Sequence, residues 1–383
     1  MHTNIGIYRD LPNLAQYRDM RTSPMRAIAF GLLLTAFMLL ASVGAVAGGR
    51  QEVPTPAAGR QATVVDNAGR SVSITLPVER VVVANRYNSE LIRAIGANDR
   101  IIAVDMNTAQ DREFWAEFDP ENTIGRGQRE LNYEKIIELQ PQVLILPKNG
   151  SWEEAHEVLA PFGIEVLVIS GYDTGDFINQ VTTLGTVFQE QAAAKHFIEW
   201  YSEVLSYIES NLEGHPRRTV FLETLNDFAT TFEGDFFYDM VRFSGGEHIF
   251  RTRPSGITGT VINPEDVIRA NPDVVVKMIT PDHALRGTGL SGAPLVAQRR
   301  RVIAEIKDRP AWEGISAVQN EEVYVMSQFG HGGASKLVGA AYMAKWIYGD
   351  LLPDLDPVEI ERQWMEDFQG FHFVEGHFYP LPR

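Results

Sequence analysis

Residues 192–212 read AAAKHFIEWYSEVLSYIESNL, a run that contains neither glycine nor proline. Large apolar side chains recur along it at helical spacing, at Phe197, Ile198, Tyr201, Leu205, Ile208 and Leu212. The run therefore predicts one continuous helix roughly 30 Å long, which is enough to run the height of a domain. A helical pattern already begins at Asp176, and we expect Gly185 or residues 189–191 to interrupt it.

Short apolar runs typical of buried strands alternate with helical segments on both sides of this helix. The runs are residues 80–84, 101–104, 143–146 and 166–169 before it, and 219–222, 274–276 and 323–326 after it. Strands that alternate with helices are typical of parallel sheets covered on both faces. The sequence therefore predicts an α/β protein with two βα lobes, each packed on its own core and joined by a single long helix.

The first 47 residues have the pattern of a secretory signal. Arg18, Arg21 and Arg26 precede an uncharged run over residues 27–47, which closes on the small-residue pattern Ala-Val-Ala. We expect cleavage after this run and export of the remainder to the periplasm. The alternative is an uncleaved N-terminal membrane anchor, because the run is long enough to span a bilayer.

These patterns divide the chain into five predicted segments. They are a signal peptide over residues 1–47, a flexible tether over 48–61, an N-terminal α/β lobe over 62–175, a linking helical segment over 176–214, and a C-terminal α/β lobe with terminal helices over 215–383.

Composition excludes several classes of function. The formal net charge of −16 argues against a nucleic-acid partner, which would require a basic face. With no cysteine, the printed sequence offers no disulfide, thiolate ligand, cysteine nucleophile or lipidated cysteine. The sequence also lacks a Gly-x-Ser-x-Gly elbow, a His-Glu-x-x-His helix and a phosphate loop ending in Gly-Lys-Ser/Thr. An exported metal-dependent hydrolase remains the alternative class.

Four stretches in order carry a resemblance to a known family. They are RVVVA at residues 80–84 with LIRAIGANDRIIAV at 91–104, LNYEKIIELQPQVLI at 131–145, NPEDVIRANPDVVV at 263–276, and residues 309–325. Together they resemble the periplasmic substrate-binding proteins of ABC importers for ferric siderophores, haem and vitamin B12. Gln142 stands where the family usually has aspartate.

The resemblance implies a bilobal binding protein without enzymatic activity or resident cofactor. A ligand would occupy the cleft between the lobes, and the partners would be a transmembrane ABC permease and its ATPase. A helical hinge is stiff, so we expect only modest lobe closure on binding. The ligand expected from this family is a chelated metal such as Fe(III) in a siderophore, with cobalamin, haem and molybdate left open.

Candidate ligand-binding residues follow from the general position of sites in α/β folds, at loops beyond the carboxyl ends of strands. This criterion selects Arg86, Tyr87, Arg126, Lys148, Tyr172, Asn226 and His331. The three basic residues suit an anionic ligand, since an acidic protein must supply positive charge locally. The alternatives are solvated loop charges, aromatic rings packed within a lobe, and a histidine that hydrogen-bonds rather than binds a metal.

Candidate docking residues come from the resemblance alone. In the family, one glutamate on each lobe pairs with arginines of the permease. The matching positions here are Glu153 or Glu154 in the first lobe and Glu265 in the second. Each lies near a predicted helix start, where a carboxylate is favoured anyway.

Two further clusters received structural interpretations. Arg299, Arg300 and Arg301 are expected on a solvated helical face. His372 and His377 have the wrong spacing for one helical face, and we expect them in a tail packed on the second lobe rather than at a metal.

Overall fold

The computed structural model describes residues 60–235, 237–254, 260–279 and 292–382, and only the backbone of residues 292–294 and 331. The predicted signal and nearly all of the tether lie outside these residues. Within them, no helix combines the length and apolar character that a membrane crossing requires.

The first lobe is built on a four-stranded parallel sheet in the order β4-β3-β7-β8. Valine, isoleucine and leucine dominate its strands, and most of these side chains are buried because helices or hairpins cover both faces. The strands of this lobe, including two hairpins, are β1 (Arg60–Val65), β2 (Ser71–Leu76), β3 (Val81–Val83), β4 (Ile101–Val104), β5 (Gly125–Gly127), β6 (Glu130–Leu131), β7 (Val143–Leu146) and β8 (Glu165–Val168). Its helices are α1 (Arg86–Ala94), α2 (Met106–Ala109), α3 (Tyr133–Leu139) and α4 (Trp152–Leu159).

Two consecutive helices, α5 (Phe177–Phe188) and α6 (Gln191–Leu212), lead out of the first lobe. The predicted interruption lies at Gln189, whose backbone φ of +60° ends α5 in a left-handed conformation. The predicted long helix is confirmed as α6, and its buried residues Ala194, Phe197, Tyr201 and Ile208 share one face.

The second lobe carries a five-stranded sheet in the order β10-β9-β11-β12-β13. All pairs are parallel except β12 with β13, which are antiparallel. The strands are β9 (Thr219–Glu223), β10 (Glu247–His248), β11 (Val274–Ile279), β12 (Val323–Ser327) and β13 (Phe378–Tyr379). The helices are α7 (Tyr238–Phe243), α8 (Pro264–Ala270), α9 (Gly292–Lys307), α10 (Ser316–Gln319), α11 (Lys336–Tyr348) and α12 (Pro357–Gln363), with a π-helical turn at Trp364–Phe368.

The hydrophobic core corrects the expectation of two separately packed halves. One cluster of buried side chains runs from Val83 and Ile145 in the first sheet, through Phe197 and Tyr201 of α6, to Leu222 in the second sheet. Two smaller clusters cover the remaining face of each sheet. The linking helix therefore packs against both lobes instead of bridging them as an isolated rod.

Two sequence interpretations near the C-terminus also change. Arg299 is buried, with 1% exposure, and its Nη2 donates to the backbone oxygen of Gly376 at 2.6 Å, so it does not belong to a solvated face. The tail containing His377 does pack on the second lobe, as expected, but it also adds strand β13 to the sheet. The Ser327 hydroxyl lies 2.6 Å from Nδ1 of His377, and burial lowers the pKa of this histidine to about 3.

Candidate ligand-binding site

The predicted first-lobe residues gather at one edge of the sheet. Arg86 and Tyr87 begin α1 just after β3, Lys148 follows β7, and Tyr172 follows β8. Since the carboxyl ends of parallel strands meet at the same edge, these side chains share one surface. Arg126 joins them from the hairpin formed by β5 and β6.

Asn85 sets the start of α1 at this edge. Its backbone φ of +89° is unusual for a residue other than glycine, and its side chain accepts a hydrogen bond from the backbone N–H of Tyr87 at 3.0 Å. The backbone N–H of Asn85 donates to the carboxylate of Asp105, which also accepts from the Thr108 hydroxyl at 3.0 Å. Burial raises the pKa of Asp105, while these hydrogen bonds lower it. The buried carboxylate of Asp105 therefore links the loop after β3 to the loop after β4 through hydrogen bonds.

A cavity of about 210 Å³ opens beside the β5–β6 hairpin. It is lined by Asn107, Arg126, Gly127, Gln128, Arg129 and Glu130. Arg129 was not selected from the sequence; its Nε donates to the backbone oxygen of Asn149 at 2.8 Å and so fixes the hairpin on the loop that carries Lys148. Arg126 of the same hairpin was predicted, whereas the role of Arg129 depends on its contact with the Asn149 loop, which no local sequence pattern reports.

Positive charge is concentrated on this surface although the chain is acidic overall. Arg126 is 73% exposed and lies 3.8 Å from Glu130, a weak contact that leaves the guanidinium accessible to solvent. Nη2 of Arg86 lies 3.0 Å from the Tyr87 hydroxyl, with the guanidinium over that ring. Burial raises the pKa of Tyr172, and the positive charge of Arg129 opposes this shift. Arg129 and Tyr172 are therefore electrostatic neighbours.

In the second lobe, Asn226 lies in the loop that follows β9 and is exposed. A buried lysine supports this loop: Nζ of Lys277 donates to the backbone oxygens of Thr224, Leu225 and Asn226 at 2.9, 3.2 and 3.3 Å. Lys277 also lies 3.3 Å from the carboxylate of Glu223, which is fully buried. Sequence reasoning missed Lys277, although a lysine inside the apolar run Val274–Ile279 was a visible signal.

The turn after β12 brings the lobes into contact. A Cβ atom placed on Gly332 would lie 2.1 Å from the Tyr87 hydroxyl oxygen, and one on Gly333 would lie 2.8 Å from its ring. Gly333 also has a φ of +56°, which favours glycine. The side chain of the predicted residue His331 lies outside the described part of the chain. Phe329, an aromatic residue at the start of this turn, packs within its own lobe, with its ring 4.4 Å from that of His377.

Lys336 forms a polar link between the lobes beside this turn. Its Nζ donates to the backbone oxygen of Tyr172 at 3.1 Å, and only 1% of the residue is exposed. Burial lowers the pKa of Lys336 to about 8, although the negative charges of Asp239 and Asp173 act to raise it. The amino group thus sits where first-lobe and second-lobe residues meet.

The predicted docking glutamates lie on opposite lobes, each exposed and in the first turn of a helix, α4 or α8. Glu154 adjoins Tyr133. The pKa of Tyr133 rises to about 12, mainly because the hydroxyl is buried and to a lesser extent because of the negative charge of Glu154. For Glu265, the backbone N–H is capped by the Asn263 side chain at 3.0 Å. No cluster of three or more His, Asp or Glu residues suited to a metal occurs among the described residues.

A profile described as "Periplasmic binding protein" matches residues 81–328. The chain belongs to the periplasmic binding protein family. The predicted bilobal fold is confirmed by a crystal structure of the TroA-like periplasmic binding protein FepB from Veillonella parvula, which superposes with a TM-score of 0.68 at 20% identity, covering 84% of this chain and 99% of that one.

Two relatives are similar to this periplasmic binding protein over more than half of its length. The vitamin B12-binding protein of Vibrio parahaemolyticus is 22% identical over 62% of this chain and 81% of its own length. An uncharacterized ABC transporter substrate-binding lipoprotein of Bacillus subtilis is 21% identical over 75% of this chain and 86% of its own. The periplasmic binding protein described here is thus an extracytoplasmic solute-binding protein of an ABC transporter and not an enzyme, so the hydrolase alternative is set aside.

Proposed function

We propose that the protein captures an anionic metal chelate, a ferric siderophore above all, and delivers it to an ABC permease and its ATPase. The observation that carries the proposal is the set of cationic side chains at one edge of the first sheet: Arg86, Arg126, Arg129 and Lys148. An anion entering an otherwise acidic molecule requires such local compensation.

Aromatic side chains at the same edge suit the organic part of a chelate. Tyr87 and Tyr172 are both partly exposed, and both lie in the first lobe where it meets the second: Tyr87 beside Gly332, and Tyr172 beside Lys336. A flat or catechol-bearing ligand gains contact area from such rings at low cost in conformational freedom. Cobalamin, which the Vibrio relative binds according to its name, is the second candidate.

Direct binding tests the ligand class. The purified protein is titrated with ferric citrate, a negatively charged chelate, and with cyanocobalamin, following quenching of tryptophan fluorescence. We expect Arg129→Gln to weaken ferric citrate binding by about tenfold, because a charged hydrogen bond to the ligand is lost. Arg112→Gln, at an exposed arginine elsewhere in the first lobe, is the matched control.

Cyanocobalamin binding with no response to ferric citrate would replace the siderophore proposal by the cobalamin alternative. An absorbance spectrum of protein purified from its own host gives an independent answer, because chelated iron, haem and cobalamin have different visible bands.

We further propose that residues 1–47 form a cleavable signal peptide and that Glu265, with Glu153 or Glu154, contacts the permease. Exposed carboxylates on both lobes support the second proposal, since salt bridges across such an interface orient the partners. Mass spectrometry of the exported protein should give an N-terminus near Gly48; a retained N-terminal segment would favour the membrane anchor.

A further inference from the structure

The loop after β9 is organised around one buried ammonium group. Three consecutive backbone oxygens, those of Thr224, Leu225 and Asn226, converge on Nζ of Lys277. The side chain of Lys277 is 7% exposed, whereas Leu225 and Asn226 are exposed. The loop therefore has a buried carbonyl side and a solvent side.

The orientation of the carbonyl groups fixes that of the amide groups. In a trans peptide unit the C=O and the following N–H point in opposite directions. The N–H groups that share peptide units with these three oxygens are those of Leu225, Asn226 and Asp227. They are consequently directed away from Lys277, toward the exposed side of the carboxyl edge of β9. Successive N–H groups turned the same way attract anions.

A buried ion-pair network fixes the position of this loop. Lys277 of β11 lies opposite Glu223, the last residue of β9, in the parallel pairing of the two strands. The Glu223 carboxylate accepts from both terminal nitrogens of Arg309, at 2.7 and 2.9 Å, and from the backbone N–H of Phe228 at 2.6 Å. Arg309 also contacts the Asp227 carboxylate at 3.0 Å, so the one negative side chain on the loop is already paired with a cation.

We propose that the backbone N–H groups of Leu225, Asn226 and Asp227 form an anion subsite on the second-lobe wall of the cleft. It would take a carboxylate or similar oxyanion group of the ligand. Lys277 is its positioning residue, since it holds the three carbonyl groups inward, while its charge is balanced by Glu223 and Asp227. The inference rests on the proposed function and extends it to the second lobe, where the sequence indicated only Asn226.

The experiment compares proline with alanine at one position. Asn226→Pro removes the asparagine side chain together with one backbone N–H group. Asn226→Ala removes the side chain and keeps the N–H group. Among the described non-glycine residues of this loop only Phe228 has a positive φ, so proline at 226 does not conflict with the sign of the backbone angle. Both variants and Lys277→Met are titrated calorimetrically with ferric citrate, neutral ferrichrome and inorganic molybdate, and their melting temperatures are compared.

We expect Asn226→Pro to bind the anionic probes about tenfold more weakly than Asn226→Ala, and to bind ferrichrome equally well. Lys277→Met should lower the preference for anionic over neutral chelate in the same direction, whereas a merely structural brace would weaken all probes alike. Equal binding by the proline and alanine variants, or equal losses for charged and neutral probes, would overturn the subsite while leaving the transport role intact.

The two proposals fail in different ways. Binding of molybdate alone, weakened by Asn226→Pro, would retain the subsite and reject the chelate. If the wild-type protein binds none of the three probes, both are rejected. If Asn226→Pro fails to fold, Lys277→Met tests the subsite. A lower ratio of ferric citrate affinity to ferrichrome affinity than in the wild-type protein would support it, and an unchanged ratio would overturn it.

Discussion

Gln369, in the C-terminal segment, donates a hydrogen bond from its side-chain Nε2 to the backbone oxygen of Glu90 in helix α1, 3.1 Å away. The ring of Phe371 meets that of Phe114 edge to face at 5.3 Å. Residues near the end of the chain thus contact the first lobe. These contacts form a second connection between the lobes, in addition to helix α6. Both connections resist separation of the lobes.

Removal of this second connection should loosen the first lobe. Phe371→Ala deletes the aromatic pair, worth about 1 kcal/mol beyond the buried area, and amide hydrogen exchange in α1 should accelerate. Glu375→Ala, an exposed change in the same tail, serves as control. Unchanged exchange in α1 would contradict a contribution of the Phe371–Phe114 contact to this connection. With both connections intact, we expect small-angle scattering to show only a slight change on ligand binding.

Reversal of charge at the second-lobe docking position should separate transport from binding. Glu265→Arg is expected to abolish ligand uptake in cells, because the exposed carboxylate would no longer attract a basic permease surface. Ligand affinity of the purified variant should stay within twofold of wild type. A loss of ligand binding would instead place Glu265 in the cleft.

The two first-lobe candidates should differ. Glu154 adjoins Tyr133, whereas the Glu153 side chain forms no hydrogen bond or ion pair with the residues that the structure describes, so Glu153→Arg should reduce uptake more than Glu154→Arg. Uptake assays with equal protein levels make the comparison. The reverse order would assign docking to Glu154.

Stability should decline with rising pH because of Glu361. Burial raises its pKa to about 8, and the Tyr342 hydroxyl donates to it at 2.6 Å. An unfolded glutamate ionises near 4.5, so the stabilising contribution is complete below that pH and is lost as the pH rises toward 8. The loss is about 1.4 kcal/mol per pH unit. In urea unfolding, Glu361→Gln should flatten this dependence; Glu359→Gln, exposed on the same helix, should not.

His248 should make the stability of the protein decline as the pH falls into the acid range, the opposite direction to Glu361. Burial lowers its pKa to about 4, and its Nε2 lies 3.0 Å from the Thr230 hydroxyl. Because the folded state holds the ring neutral, its contribution is complete above pH 6.5 and is lost as the pH falls toward 4. His248→Gln should reduce that acid sensitivity, and His156→Gln, at an exposed histidine, should leave it unchanged. Identical acid transitions in all three proteins would contradict the assignment.

Sequence patterns predicted the features that depend on local periodicity. The helix α6, the interruption before it, and the alternation of strands and helices all follow from the spacing of apolar residues, and the strand ends then indicated where Arg86 and Tyr172 would lie. Features that depend on distant contacts were not predictable. Arg299 belongs to a run of three arginines, and only the tertiary packing of Gly376 shows which one is buried. Arg129 and Lys277 act through loops that other segments position.

The contact between Tyr87 and Gly332 limits how the groove can adapt to its cargo. The ring fills the volume that any side chain at Gly332 would need, so the two halves touch there without a spacer. We therefore expect the size of ligand that the cleft accepts to depend both on Tyr87 of the first lobe and on the absence of a side chain at Gly332 of the second.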